Sequence, residues 1–155
     1  MNQRKTIFDK KNVLVAGGAG FIGSHLCDEL VKDAKVICVD NFSTGSIENI
    51  EHLLQNPDFK FIKHDLSEPL DLEKFPELRP FKVTIQGVQE IYNFACPTSP
   101  KEYEKLPVET LLANAFASRY LLDLAKQWDA KYILASSSAI YGEPINNKPF
   151  REDNW

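Results

Sequence analysis

The segment Asn12-Val-Leu-Val-Ala-Gly-Gly-Ala-Gly-Phe-Ile-Gly23, followed by Val36-Ile-Cys-Val-Asp40, restricts the fold more than any other part of this chain. The apolar run Val13 to Ala16 supplies a buried strand. Three spaced glycines make a turn, and Phe21 to Leu30 carries helical periodicity into a second strand that ends on a carboxylate. Strand, glycine turn, helix and strand in this order form a βαβ unit with parallel strands and a right-handed crossover.

Each glycine meets a separate physical demand. The turn needs a residue that tolerates unusual φ/ψ, a ligand's pyrophosphate must approach the backbone with no Cβ in the way, and the helix must pack closely on its strand. Gly17, Gly20 and Gly23 can meet those demands. The unpaired N–H groups at the start of the Phe21 helix, together with its dipole, favour a negative pyrophosphate. Asp40 can accept hydrogen bonds from both ribose hydroxyls and would repel a 2′-phosphate, which argues for NAD over NADP. The plainer alternatives are an ordinary glycine turn and a solvated strand-end carboxylate. The strand before the turn, the helix after it and the placement of the acid favour the dinucleotide.

A chain of 155 residues, 43% of them hydrophobic, forms one domain spanning residues 1–155 with a substantial core. Its net charge of −4 and the lack of any arginine or lysine run argue against nucleic acid as a partner. Cys27, Cys38 and Cys96 are widely spaced and each lies in or beside an apolar segment. That suits buried free thiols in a reducing cytoplasm better than a disulfide framework or a metal site. Met1 to Lys11 is polar and charged, without a signal peptide's apolar region, and no apolar run reaches the roughly 18 residues of a membrane span.

After Asp40 the alternation of strands and helices continues. Asn41 to Gly45 reads as a loop with Ser43 and Thr44 as possible caps. Ile47, Ile50, Leu53 and Leu54 recur at helical spacing, and Asn56-Pro57 closes that helix. Phe59 to Ile62 reads as a third strand ending at His64-Asp65, Glu90 to Ala95 as a fourth, and Lys131 to Ala135 as a fifth. A long crossover helix spans Pro107 to Gln127, with Val108, Leu111, Leu112, Ala115, Leu122 and Ala125 as its apolar stripe. Ser67 to Gly87, interrupted by Pro69, Pro76 and Pro80, reads as an irregular excursion in which Lys82 to Gln86 is a possible small strand.

These elements predict an α/β fold, a Rossmann doubly wound parallel sheet of order 3-2-1-4-5 with helices on both faces. The ligand crevice falls at the carboxyl ends of strands one and four, near Gly17 to Gly23, Ala95 to Pro100 and, from strand five, Ser136 to Ser138.

The chain resembles the extended short-chain dehydrogenase/reductase family of nucleotide-sugar epimerases, dehydratases and decarboxylases. The matching pieces are Gly17-Gly-Ala-Gly-Phe-Ile-Gly-Ser-His-Leu26, Val39-Asp-Asn-Phe-Ser-Thr-Gly45, His64-Asp-Leu66, Ile91-Tyr-Asn-Phe-Ala95, Thr110 with Asn114, and Ser136-Ser-Ser-Ala-Ile-Tyr-Gly142. They cover most of Asn12 to Pro144 in the family's order. The resemblance implies that Gly17, Gly20, Phe21 and Ile22 line the pyrophosphate and that Asp40 and Asn41 hold the adenosine ribose. It likewise sets Asp65 and Leu66 beside the adenine, with Phe94, Ala95 and Asn114 toward the middle and nicotinamide half of NAD, and it adds Phe42 and Ser136 to the residues that bind the cofactor. Ser137 resembles the family's catalytic Ser/Thr, which hydrogen-bonds the reacting sugar hydroxyl. Taken without the resemblance, Ser136 to Ser138 equally suit loop backbone capping, and Asn114 suits a solvent-facing helix position.

Cys96-Pro-Thr-Ser-Pro-Lys-Glu-Tyr103 is most similar to the decarboxylase branch, closest in motifs to UDP-glucuronate decarboxylase-like members. Two positions depart from it: Ala139 stands where that branch has glutamate, and Glu109 stands where it has a lysine suited to an acidic sugar. An epimerase or dehydratase relative is then as well matched. The family's base is the tyrosine of a Tyr-x-x-x-Lys pair, whose lysine lowers the phenol pKa from about 10 toward working pH. None of Tyr92, Tyr103, Tyr120, Tyr132 or Tyr141 has lysine four residues later.

The resemblance implies that the chain, as far as Trp155, is the amino-terminal portion of such an enzyme. The resemblance implies a UDP- or dTDP-linked sugar as the complete protein's substrate, no membrane partner, and a homodimer through the Pro107 to Gln127 helix. The alternatives are a non-catalytic dinucleotide-binding module or an inactive truncated product and, less well supported by Asp40, an NADPH reductase.

Overall fold

The computed structural model describes residues 10–142 and residue 151, apart from the side chain of Ser138. The sequence expectations for residues 1–9, Pro144 and Trp155, and the extension of the domain to both ends, lie outside the described residues.

The elements follow in chain order: β1 (Lys11–Ala16), α1 (Phe21–Leu30), β2 (Ala34–Asp40), β3 (Phe59–Lys63), a one-turn α2 (Val83–Gln86), β4 (Glu90–Asn93), α3 (Pro100–Lys105), α4 (Pro107–Leu112), α5 (Ser118–Trp128) and β5 (Lys131–Leu134). All strand pairings are parallel and the sheet order is β3-β2-β1-β4-β5, as the sequence predicts. Val13 pairs with Val36 on one side and Glu90 on the other, which fixes the register at the centre of the sheet.

Alternation along β1 and β2 divides one apolar run between two faces. Leu14, Ala16, Ile37 and Val39 meet Ile62, Ile91, Leu121, Leu124 and Trp128 on the α5 side. Val13, Val15, Val36 and Cys38 meet Cys27, Ile50, Leu53 and Phe59 on the α1 side. Both layers are completely buried at β1, where each aliphatic side chain contributes about 1.5–3 kcal/mol by leaving water.

One polar residue belongs to this core. Asn12 is fully buried, and its Nδ2 donates to the carbonyls of Phe81 at 2.9 Å and Gly87 at 2.8 Å, tying the 67–87 excursion to β1. Asn12→Ala would leave both carbonyls without that donor in a dry site, and a loss of about 2–4 kcal/mol is expected, read as a lower denaturant midpoint. An unchanged midpoint would refute this role.

Four local expectations need correction. The helix expected over 47–54 is two 3-10 turns, Ile47–Asn49 and Glu51–Leu53, broken at Ile50 (φ −125°, ψ 0°). The break seats Ile50 fully in the core and lets Asn49 Nδ2 donate to the Ala19 carbonyl at 2.8 Å, so tertiary contacts override local helicity. Its cap is Ser46, whose Oγ accepts from Glu48 N, and neither Ser43 nor Thr44 fills that role. Lys82 to Gln86 is helical: Val83 and Gln86, three apart, are buried while Thr84 and Ile85 face out, which is a helical and not a strand period.

The apolar stripe of the long helix is the third correction. Val108, Leu111 and Leu122 are exposed at 60%, 67% and 49%, Ala115 is exposed, and Leu112 is half-buried. The rod carries a π-helical segment, Ala113–Ala117, between α4 and α5. One added residue in that turn rotates everything after it, so the buried face becomes Ala117, Leu121, Leu124, Ala125 and Trp128. Of the expected stripe only Ala125 remains in the core. Finally, Cys27 and Cys38 are buried free thiols, whereas Cys96 is partly exposed.

Candidate functional site

The carboxyl ends of the parallel strands open into a cleft of about 640 Å³. It lies at the switch point between β1 and β4, where the crossovers from the two strands leave on opposite faces of the sheet. Of the residues expected there, Gly17, Gly20, Phe21, Ile22, Asp40, Asn41, Asp65, Leu66, Phe94, Ala95, Asn114 and Ser136 line it together.

Gly17 and Gly23 make the phosphate end. Gly17 has φ +73°, and a Cβ on it would lie 2.7 Å from the Phe94 carbonyl carbon and oxygen. A Cβ on Gly23 would run into the carbonyl oxygen of Gly17. The glycine loop is thus pressed between β4 and the first turn of α1. Gly20 caps α1 without a side-chain hydrogen bond, and no acid occupies the first turn. The first intrahelical acceptor, the Gly20 carbonyl, takes Ser24 N, so the N–H groups of Phe21, Ile22 and Gly23 are left at the helix mouth. This is a cradle of bare amides on the positive end of a helix dipole, suited to a diphosphate.

Asp40, buried and ending β2, accepts from Ala19 N through Oδ2 at 3.0 Å and from Phe42 N through Oδ1 at 2.8 Å. The backbone fixes the carboxylate in the cleft wall, and each oxygen keeps a lone pair for a further donor such as a hydroxyl. Phe42, the residue after next, has φ +62°, and its ring stacks on Phe61 with centroids 4.9 Å apart. It is not among the residues that line the cleft. Its N–H instead helps to hold Asp40.

Asp65 and Asn41 join across the rim: Asn41 Nδ2 donates to Asp65 Oδ2 at 3.2 Å, and Ser67 N donates to Asp65 Oδ1 at 2.9 Å. The Ser67 backbone N–H chiefly, with smaller help from the Ser67 hydroxyl, Asn41 and His64, holds the Asp65 carboxyl below the usual carboxylate range against an opposing effect of burial. A depressed folded-state pKa gives stability that is present above the unfolded value, near pH 4, and lost as pH falls through the folded value. Wild type is therefore expected to exceed Asp65→Asn in stability at about pH 7, with the difference closing at an acid pH below the lowered folded value. Denaturant melts at both pH values measure it; a gap that persists in acid would refute it.

The other end of the cleft is built from β4, β5 and the turns before α5. Asn114 sits in the π-helical segment, its Nδ2 donating to the Thr110 carbonyl at 2.8 Å and to Cys96 Sγ at 3.0 Å. The side chain is exposed and held toward Cys96 and the cleft. Wide helical turns of this kind recur at functional sites. Ser136 lines the cleft, whereas Ser137 lies just beyond it, and its Oγ accepts from Ala139 N at 3.1 Å as the cap of a 3-10 turn, Ser138–Tyr141. The capping role weighed in the sequence is thus formed.

Sequence reasoning missed Asn93. It is buried at the end of β4, with Nδ2 donating to the Tyr132 hydroxyl at 2.9 Å and Oδ1 accepting from Ala95 N at 3.1 Å, and it fixes the strand-to-loop exit on which Ala95 sits. A polar residue closing the apolar run Ile91-Tyr-Asn93 was the available signal. Also missed were α3 as a helix and Glu102, which reaches the cleft from its first turn. Among the described residues no group of His, Cys, Asp and Glu could hold a metal ion, and no helix is long and apolar enough to cross a membrane.

Comparison with known proteins adds four findings. The family model described as GDP-mannose 4,6 dehydratase matches residues 14–155. UDP-glucuronic acid decarboxylase 1 of Arabidopsis thaliana is 42% identical over 144 residues, which are 92% of this chain and 30% of that protein. Among solved structures, a UDP-N-acetylglucosamine 4-epimerase from Methanobrevibacter ruminantium in complex with UDP-N-acetylmuramic acid has a TM-score of 0.73 at 34% identity, covering 95% of this chain and 44% of its own. The UDP-glucose 4-epimerase of Thermus thermophilus in complex with NAD has a TM-score of 0.67 at 27% identity, covering 92% and 43%. The chain spans less than half the length of each of these relatives.

Proposed function

The chain belongs to the GDP-mannose 4,6 dehydratase family, the extended short-chain dehydrogenase/reductase group of nucleotide-sugar enzymes, and from that premise we propose that it binds NAD as the cofactor half of a nucleotide-sugar-modifying site. The observation that carries this reading is the paired placement of bare α1 amides and the fixed Asp40 carboxylate at the two sides of one cleft.

In this reading Gly17, Gly20, Phe21 and Ile22 receive the pyrophosphate, Asp40 and Asn41 the adenosine ribose, and Asp65 and Leu66 the adenine edge. Phe94, Ala95, Asn114 and Ser136 flank the nicotinamide half. Bound there, NAD supplies a hydride acceptor and donor for the sugar. Ser137 orients the sugar hydroxyl: its Oγ is already engaged as an acceptor, which leaves the O–H to donate. The substrate class is a UDP- or dTDP-linked sugar.

The Tyr-x-x-x-Lys pair does not occur within these 155 residues, so NAD binding without sugar turnover is expected of this chain alone. Calorimetric titration of the purified chain with NAD and with NADP tests the reading: saturable NAD binding, weaker for NADP, supports it, and no NAD binding overturns it. Conversion of a UDP- or dTDP-sugar by the chain would overturn the claim that the base is absent. The exposed Val108, Leu111 and Leu122 on the α4 and α5 rod support the further proposal that a second copy packs there, which sedimentation equilibrium checks.

A further inference from the structure

We propose that the sugar end of this cleft selects an uncharged glycosyl group over a carboxylated one, and that Glu102 and Glu109 impose the choice. The inference rests on the cofactor reading above and adds to it the class of sugar.

The cleft is one-sided in charge. Asp40, Asp65, Glu102 and Glu109 line it together with His64, and among the described residues no lysine or arginine faces it. Among the described residues, a carboxylate entering such a space finds no lysine or arginine to offset its desolvation.

The helix beginnings divide the cleft into two unlike ends. α1 opens with no acid in its first turn, so its amides remain free to attract a diphosphate. α3 and α4 each carry a glutamate in the first turn, Glu102 and Glu109 respectively, and these carboxylates offset the positive potential that those helix starts would otherwise offer a second anion. Glu102 is held by the Ser99 cap, whose Oγ accepts Glu102 N at 3.3 Å. Among the described residues neither glutamate joins an ion pair, so both charges stay available to the cleft. Beside them, Thr98 and Ser99 offer neutral groups suited to sugar hydroxyls.

The fold itself does not set this preference. Relatives include decarboxylases named for UDP-glucuronic acid and an epimerase solved with UDP-N-acetylmuramic acid, both carboxylated sugars. The discrimination therefore belongs to side chains of this chain.

The test compares UDP-glucose with UDP-glucuronate, which differ by a hydroxymethyl against a carboxylate, by calorimetry or amide chemical shifts on the chain first saturated with NAD. UDP-glucose is expected to bind about tenfold more tightly, a gap that narrows with added salt as screening requires. In the double variant Glu102→Gln with Glu109→Gln, UDP-glucuronate is expected to gain until the two lie within about threefold, and Glu109→Gln alone to recover part of that gain. Equal or tighter UDP-glucuronate binding by wild type, a gap unchanged in the double variant, or no binding of either sugar nucleotide overturns the proposal. Failure to saturate with NAD overturns the cofactor reading instead, and the first titration separates the two.

Discussion

Alanine at Gly23 is expected to lower NAD affinity about a hundredfold or more and to destabilise the fold by about 1–3 kcal/mol, although it adds a single methyl group. The added Cβ meets the carbonyl oxygen of Gly17 and would lie 2.7 Å from Gly18 Cα, both of them backbone. A flexible side chain could turn aside, but these atoms cannot, because Gly17 is pressed on its other side against Phe94 and Ala95. Relief requires α1 to lift from the sheet or the glycine loop to move into the cleft. Either displaces the amides of Phe21, Ile22 and Gly23 from a common focus, and a hundredfold loss corresponds to about 2.8 kcal/mol. Calorimetry with NAD and a denaturant melt of the same preparation measure both effects. Wild-type affinity in the alanine variant would show that the close approach of α1 has no part in binding.

The second large effect is expected at Asp40. Its carboxylate is buried and accepts the N–H groups of Ala19 and Phe42. Asp40→Ala leaves both donors unmatched, at a combined cost of about 2–4 kcal/mol, and releases the loop that holds Phe42 at φ +62°. NAD binding is expected to fall below detection, since the ribose loses its acceptor as the loop loses its anchor. Asp40→Asn separates the two contributions. It retains one oxygen and the side-chain volume, so stability should fall less, while the loss of negative charge should reduce the preference for NAD over NADP. If Asp40→Asn kept the wild-type ratio of the two affinities, charge would not be the basis of the discrimination.

The parts of this protein that were legible in its sequence share a cause. β1, α1 and β2 are specified by local demands: a run buried on both faces, a backbone that must bend without Cβ atoms, and an acid at a strand end. These leave a mark in consecutive residues. The sheet order follows from them because crossovers of one hand leave few alternatives. What was not legible depends on distant partners. Nothing in Ile47 to Leu54 announces that Asn49 will bond the Ala19 carbonyl and so break the helix at Ile50. The widened turn at Ala113–Ala117 likewise has no local signature, and counting faces at a constant period past it misplaces Leu122 and overlooks Leu121. Of the site, backbone-defined positions were read more surely than side-chain ones: Phe42 turns to Phe61, and Asn93 acts through a tyrosine of the neighbouring strand.

That widened turn sets the faces of the two halves of one rod out of step. Downstream, Leu121, Leu124 and Trp128 seat it on the sheet, and their spacing answers only to the core. Upstream, Glu109, Leu112 and Ala113 look onto the cleft, in a phase offset from that seating by the one added residue. Substitutions before residue 113 thus alter the wall of the cleft without touching the side chains on which the rod rests.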